Sequence, residues 1–165
     1  MRVGFGYDVH ALCAGRALIL GGITIPHSQG LHGHSDADVL THAVCDALLG
    51  AMGEGDLGTY FPSSDPQFKN IDSLQMLQAV HQKLTQRGYG LINLDTVIMA
   101  EAPRLGPYLA DMQKQLASVL CVSPDLVNVK VKSGDKLGII GRQEGMAAQA
   151  VCLIHTEQHE MGPHS

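Results

Sequence analysis

The sequence predicts an α+β fold with a mixed sheet. Segments with a two-residue apolar period alternate with segments of helical period over 165 residues, which indicates one domain built from both kinds of element. A glycine pair inside the apolar stretch 18–25 indicates a bent hairpin near the N-terminus. We therefore expect a mixed four-stranded sheet with helices on one face, plus this N-terminal hairpin.

The first predicted strand covers residues 2–12 and has two unlike faces. One face carries large apolar side chains, and the other carries two glycines, a carboxylate and an imidazole. The two sets are Val3, Phe5, Tyr7 and Val9 on one side, and Gly4, Gly6, Asp8 and His10 on the other. Because glycines lack side chains, another element can approach the second face closely.

Helical spacing of apolar residues over 39–52 predicts the first helix. Ser35 is placed to cap this helix, with Asp38 three residues later in a capping-box arrangement. His42 follows Asp38 by one turn, and we expect it on the polar edge of the helix. His34 lies just before the N-terminus, where free backbone N–H groups and the helix dipole favour an anion.

The remaining elements follow from apolar period and from glycine and proline positions. They are a long loop over 53–66, a helix from Asp72 to Gly88, a strand over 91–100, a helix after Pro103 and Pro107, and strands over 127–132 and 145–154. The polar stretch from His155 onwards is expected to fray. We assign one domain to residues 1–156 and expect a disordered tail at 157–165.

Composition excludes several classes of function. A net charge of −5 gives no basic surface for nucleic acid, and no apolar run is long enough to cross a membrane. The N-terminus lacks the features of a signal peptide. The four cysteines are scattered without a Cys-x-x-Cys motif, which predicts reduced, mostly buried thiols. We expect a cytoplasmic protein, or one from a plastid-type stroma if a transit peptide has been removed.

Asp8 and His10 share one face of the first strand, so both side chains can reach one metal ion. His42, on a helix that packs over the glycines of that face, would supply a third ligand. One carboxylate and two imidazoles suit zinc, and three protein ligands leave its fourth position open. From spacing alone, a turn aspartate with two ordinary semi-buried imidazoles is the commoner arrangement, so both interpretations stay open at this point.

Other polar residues also have two interpretations. His34 with Ser35 forms either a plain helix start or an anion site, and Asp56 is either a turn former or a substrate ligand. Arg142 and Glu144 form either a surface ion pair or an anion-binding arginine with its carboxylate partner. Position alone does not choose between these alternatives.

Motifs in a fixed order along the chain point to one family. They are Gly6-Tyr7-Asp8-Val9-His10, Leu20-Gly21-Gly22, His34-Ser35-Asp36-Ala37-Asp38 with His42, Gly55-Asp56-Leu57-Gly58, Phe61-Pro62-x-x-Asp65, Ala102-Pro103-Arg104 and Lys136-Leu137-Gly138-x-x-Gly141-Arg142-x-Glu144-Gly145. Over residues 1 to 154, this order closely resembles the 2-C-methyl-D-erythritol 2,4-cyclodiphosphate synthases.

The resemblance implies a lyase of the non-mevalonate route to isoprenoid precursors. Such an enzyme converts 4-diphosphocytidyl-2-C-methyl-D-erythritol 2-phosphate into the cyclic diphosphate and releases CMP. It implies a homotrimer with active sites at the subunit interfaces, with Zn²⁺ held by Asp8, His10 and His42 and with Mg²⁺ or Mn²⁺ on the substrate diphosphate. A cavity on the trimer axis, near Arg142 and Glu144, is implied to accept an isoprenoid diphosphate.

Matching motifs imply the remaining roles. His34 and Ser133 take the catalytic positions, and the Ser133 hydroxyl is implied to help stabilise the transition state. His34 and Ser35 match the family's phosphate-contacting pair. The implied substrate-binding residues are Asp56, Leu57 and Gly58; Phe61, Pro62, Ser63, Ser64 and Asp65; Ala100, Glu101, Ala102, Pro103, Arg104, Leu105 and Gly106; and Lys132, Gly134, Asp135, Ile139 and Arg142.

The chain departs from the family pattern in one substrate-facing segment. Where the family typically has Lys-x-Thr-Thr-x-Glu, this chain has Lys130-Val131-Lys132-Ser133-Gly134-Asp135. Ser133 keeps the hydroxyl, and Asp135 keeps the carboxylate on a side chain that is one methylene shorter. Two other functions stay open. One is a zinc phosphoesterase that uses the same ligands and activates water, and the other, supported by this departure, is a catalytically weak trimer that senses isoprenoid diphosphates.

Overall fold

The computed structural model describes residues 1–156. Its strands and helices are β1 (Arg2–Ala14), β2 (Leu18–Leu20), β3 (Ile23–Ile25), β4 (Gln29–Leu31), α1 (Val39–Met52), α2 (Leu57–Tyr60), α3 (Ser73–Gln86), β5 (Tyr89–Met99), α4 (Leu109–Val119), β6 (Val127–Lys132), α5 (Gly138–Gly141) and β7 (Gly145–Thr156). Every helix and strand predicted from the sequence is present, whereas β4, α2 and α5 were not predicted.

The predicted α+β class is confirmed, but the sheet has five strands instead of the expected four. Their order is β4-β1-β7-β5-β6, with β5 and β6 parallel and the other pairs antiparallel. The extra strand β4 pairs Leu31 with Leu12 near the end of β1. Three residues are too few to show an apolar period, so sequence patterning could not reveal this strand.

The hairpin predicted over 18–25 is also present, as the separate two-stranded pair β2-β3. Its turn residues Gly21 and Gly22 have φ values of 57° and 75°. Positive φ at both central residues matches the right-handed twist of the flanking strands, and glycine adopts it without a steric penalty.

The glycine face of β1 allows α1 to lie directly on the sheet, as predicted. A Cβ atom added to Gly4 would lie 1.8 Å from the Ala47 carbonyl oxygen, and one added to Gly6 would lie 1.9 Å from the Ala43 oxygen. Because α3 packs against α1 as well, α1 is buried around almost its whole circumference. The expected polar edge is therefore wrong, because the His42 side chain is only 11% exposed.

The predicted N-cap of α1 is also wrong, because Asp38 takes that place instead of Ser35. The fully buried Asp38 carboxylate accepts from the Thr41 N–H and hydroxyl at 3.0 and 2.7 Å, and from the N–H groups of Gly21 and Gly22 at 2.9 and 2.7 Å. Burial raises the pKa of Asp38, and these donors limit the rise. One side chain thus joins the start of α1 to the β2-β3 turn.

We expect Asp38→Asn to lower the free energy of unfolding by about 2–4 kcal/mol, because the amide NH2 group cannot accept and leaves buried donors unpaired at about 1–3 kcal/mol each. Asp72→Asn is the matched control. Asp72 is exposed and accepts one cap hydrogen bond from Leu74 N, and asparagine caps equally well. Urea denaturation at one fixed protein concentration measures both variants. Equal stability of the two would contradict the role assigned to Asp38.

The C-terminal strand is longer than predicted. His155 lies in β7 and pairs with Gly90 of β5, so the expectation that the chain frays from His155 is wrong. The tail predicted at 157–165 lies outside the described residues.

All four cysteines are free, with Cys45 and Cys152 buried, Cys13 half-buried and Cys121 exposed. Within residues 1–156, none of the helices combines the length and the apolarity that a membrane crossing requires.

Candidate active site

The three predicted metal ligands, Asp8, His10 and His42, converge at one end of β1. Asp8 Oδ2 lies 2.8 Å from His10 Nε2 and 3.0 Å from His42 Nδ1, and the two imidazole nitrogens are 3.1 Å apart. Donor atoms 2.0–2.1 Å from a tetrahedral zinc ion lie roughly 3.3 Å apart. This triad therefore has the donor set and nearly the spacing of a divalent metal site.

The contacts within the triad shift two pKa values. Burial alone would raise the pKa of Asp8, but hydrogen bonds and charge interactions with His10 and His42 outweigh burial and lower it well below its usual range. Burial alone would lower the pKa of His42, whereas the Asp8 carboxylate raises it, and the net shift is upward. Asp8 is consequently ionised at neutral pH, which is the form that coordinates a metal.

His34 and Ser35 lie in the loop that leads into α1. The guanidinium of Arg16 holds this loop, donating to the Gly33 carbonyl at 2.7 Å and also to the Ser35 carbonyl. The His34 ring is held from the other side, with Nε2 3.2 Å from the Asp65 carbonyl oxygen. Arg16, which sequence reasoning missed, thus fixes the backbone on both sides of His34.

A cavity of about 330 Å³ opens over the triad. Its lining combines the triad, the His34-Ser35 pair and part of the loop after α1, and comprises Asp8, His10, His34, Ser35, His42, Asp46, Asp56, Leu57, Gly58, Phe61, Ser63, Phe68 and Met76. Pro62, Ser64 and Asp65 belong to the same loop but do not line the cavity. A metal-ligand triad beside an open, partly polar cavity is the arrangement of a catalytic rather than a structural metal centre.

Asp46 was not predicted as a site residue. Its carboxylate accepts from Leu57 N at 2.7 Å and so holds the start of α2 against α1. Burial raises the pKa of Asp46, and the nearby Asp8 and Asp56 carboxylates add to the rise. Its position four residues after His42 was the available signal, because that spacing puts both side chains on one face of a helix.

Asp56 has the local structural role that the sequence offered as one interpretation, and its role as a substrate ligand stays a prediction. Its side chain caps α2 by accepting from the Thr59 N–H and hydroxyl at 2.9 and 2.8 Å, and the same residue lines the cavity. These hydrogen bonds lower the pKa of Asp56. The other unpredicted lining residues, Phe68 and Met76, give the cavity part of its apolar wall.

The remaining predicted substrate residues form a second group, which does not line this cavity. They lie on the loop after β5, over 100–106, and on the segment from the end of β6 through α5, over 132–144. Backbone N–H of Ala100 donates to the Lys132 carbonyl at 3.0 Å, and Gly134 N–H donates to the Glu101 carboxylate at 3.1 Å. The two segments, here called the second loop group, are thus tied to each other.

Arg142 and Glu144 form an exposed ion pair in the second loop group, with Nε–Oε1 and Nη2–Oε2 distances of 2.8 and 3.1 Å. The hydrogen bond and charge of each partner raise the pKa of Arg142 and lower that of Glu144. This is the surface ion pair that the sequence offered as one alternative. It leaves the outer edge of the guanidinium accessible.

Comparisons with known proteins agree on one family. A model described as the YgbB family matches residues 1–155. A relative from Desulfatibacillum aliphaticivorans, named 2-C-methyl-D-erythritol 2,4-cyclodiphosphate synthase, is 54% identical and covers 93% of this chain and 99% of its own. A relative of the same name from Synechocystis is 52% identical, covering 95% and 98%.

Solved structures give the same result. The IspF protein of Plasmodium falciparum, in a CDP complex, aligns with a TM-score of 0.84 at 29% identity and covers 95% of this chain and 97% of its own. The bifunctional IspDF of Campylobacter jejuni aligns with a TM-score of 0.91 at 40% identity over 94% of this chain and 42% of its own. The similarity therefore covers both sequence and fold.

Proposed function

The chain belongs to the YgbB family, and on that premise we propose that it converts 4-diphosphocytidyl-2-C-methyl-D-erythritol 2-phosphate into 2-C-methyl-D-erythritol 2,4-cyclodiphosphate and CMP. The observation that carries the proposal is the metal-ligand triad at the floor of a cavity that His34, Ser35 and Asp56 also line. The near-complete coverage of relatives that bear this name supports it.

The reaction is an intramolecular displacement. An oxygen of the 2-phosphate forms a bond to the β-phosphorus, and the bond from that phosphorus to the oxygen bridging the α-phosphate breaks, so CMP leaves with that oxygen. No water is consumed. Since both reacting groups belong to one molecule, holding them in one geometry supplies much of the acceleration.

We propose that Asp8, His10 and His42 hold a zinc ion. When bound, zinc supplies Lewis-acid polarisation of a phosphoryl oxygen. His34 and Ser35, beside the triad, donate hydrogen bonds to phosphate oxygens, and Asp56 and Gly58 bind the erythritol hydroxyls. The cavity between α1, the loop before it and α2 orients the 2-phosphate toward the diphosphate.

The second loop group supplies the rest of the site from a neighbouring copy of the chain. Lys132, Ser133, Gly134 and Asp135 would face the diphosphate, with Asp135 near a Mg²⁺ or Mn²⁺ ion, and residues 100–106 would bind cytosine. These loops do not line the triad cavity of their own chain, which supports a site shared between subunits.

A homotrimer would cover the apolar face of β1. Val3, Phe5, Tyr7 and Val9 share one face of this strand and are 68%, 60%, 48% and 40% exposed. An exposed row of four large apolar side chains is typical of a surface that contacts another protein. Arg142, whose guanidinium is exposed, would bind an isoprenoid diphosphate on the axis of this trimer. We propose both the assembly and that binding site.

Product analysis tests the reaction. Metal-stripped protein is compared with protein reloaded with Zn²⁺ and Mg²⁺, and products are followed by phosphorus NMR and by CMP release. We expect a pair of coupled diphosphate signals with CMP, and only after reloading. Uncoupled monoester signals would show that water attacks and would favour a phosphoesterase, and binding of CDP without CMP release would favour the sensor.

A further inference from the structure

The His42 ring contacts polar atoms at both nitrogens. Nδ1 faces Asp8 and His10 within the triad, at 3.0 and 3.1 Å. Nε2 faces the opposite way, 2.9 Å from Ser73 Oγ and 3.1 Å from Ser35 Oγ. A ring flipped by 180° would place carbon atoms at both positions, so the contacts fix its orientation.

The direction of the Ser73 hydrogen bonds is fixed by Asp36. The Asp36 carboxylate accepts the backbone N–H of Ser73 at 3.0 Å and also contacts the Ser73 hydroxyl. An ionised carboxylate has no hydrogen to donate, so the hydroxyl must donate to Asp36. The Ser73 oxygen is then left to accept, and the group that donates to it is His42 Nε2–H.

We propose that Asp36 and Ser73 form a positioning relay that holds the proton of His42 on Nε2 and so keeps Nδ1 free to bind the metal. Metal-bound histidines typically donate their other ring N–H to an acceptor, which fixes the tautomer and makes the ligand more basic. The inference rests on the metal site proposed above. It assigns a function to Ser73, a fully buried residue at the first turn of α3.

The relay also separates the roles of the two serines. The Ser35 oxygen already accepts from the Ala37 N–H at 3.1 Å, and Ser35 lines the cavity. Among the described residues 1–156, no carboxylate accepts its hydroxyl hydrogen, which is therefore available to a phosphate oxygen. Ser73 orients the metal ligand, whereas Ser35 faces the substrate.

Zinc affinity tests the relay without any turnover. Zn²⁺ binding is measured by competition with a chromophoric chelator for the wild type, Ser73→Ala and Asp72→Ala. We expect Ser73→Ala to weaken zinc binding about 10- to 100-fold, the usual effect of removing such a partner. Asp72→Ala loosens the same helix start by removing its cap, so it should stay within about threefold of the wild type.

Nitrogen-15 NMR of the histidine rings supplies a second readout. The His42 Nε2–H signal should shift in Ser73→Ala and remain in place in Asp72→Ala. Zinc affinity of Ser73→Ala within threefold of wild type would overturn the relay, and so would equal losses in Ser73→Ala and Asp72→Ala. A wild type that binds no zinc would instead overturn the metal site itself, so the two failures are distinguishable.

Discussion

Replacement of His42 with alanine is expected to abolish zinc retention and to lower kcat/KM by at least about a thousandfold. The variant removes one of three metal ligands and leaves Asp8 and His10 to hold the ion alone. Lewis-acid stabilisation of a phosphoryl oxygen supplies several kcal/mol, and each 1.4 kcal/mol corresponds to about tenfold in rate. Metal content after dialysis and the rate of CMP release measure the two effects.

His81→Ala is the matched control for this prediction. His81 is a half-buried histidine on α3, and burial lowers its pKa, but it lies outside the triad cavity. The control should keep its zinc and its rate within about twofold. A His42→Ala enzyme that keeps full turnover with Mg²⁺ alone would show that the triad does not carry the chemistry.

The sequence predicted which side chains meet in the triad better than it predicted the local structure around them. The two-residue alternation in β1 was sufficient to predict that Gly4, Gly6, Asp8 and His10 share one face, because strand period alone determines which residues do so. This put two candidate metal ligands beside the glycines on which the helix packs. His42 then reached Asp8 and His10 only because α1 lies on those glycines. That step required tertiary packing, which spacing suggested but could not establish.

The wrong cap of α1 shows where local patterns fail. Both Ser35 and Asp38 are residue types that cap helices well, and the sequence nearby accommodates either. Asp38 is selected by Gly21 and Gly22, whose N–H groups come from a hairpin about seventeen residues earlier in the chain. A cap that is also a tertiary contact cannot be recognised from neighbours in sequence.

Ser73 was missed for the same reason. In the sequence it only follows Asp72 at a helix start, and nothing there indicates contact with a residue 31 positions earlier. Three-residue strands and four-residue helices such as β4 and α2 are likewise too short to generate a period. Long periodic elements are therefore predictable from sequence, whereas individual side-chain contacts such as that of Ser73 with His42 are not.

Gly6→Ala is expected to destabilise the fold and the metal site together. The added Cβ would lie 1.9 Å from the Ala43 carbonyl oxygen and 2.7 Å from Ala47 N, and both are backbone atoms of α1 that cannot rotate away. The helix has to move off the sheet, which costs typically 1–3 kcal/mol for an overpacked contact and occasionally more. Because His42 directly precedes Ala43, the same movement pulls a ligand away from Asp8.

Gly50→Ala separates this effect from the general consequence of adding a methyl group to the same interface. Its Cβ would meet only the Phe5 carbonyl oxygen, at an ordinary 3.7 Å. Since alanine is the better helix former, this control should be neutral or more stable by up to about 1 kcal/mol. Urea denaturation and zinc titration of both variants, at equal protein concentration, measure the prediction. If Gly6→Ala matched Gly50→Ala in both assays, β1 and α1 would not be in the close contact on which the metal site depends.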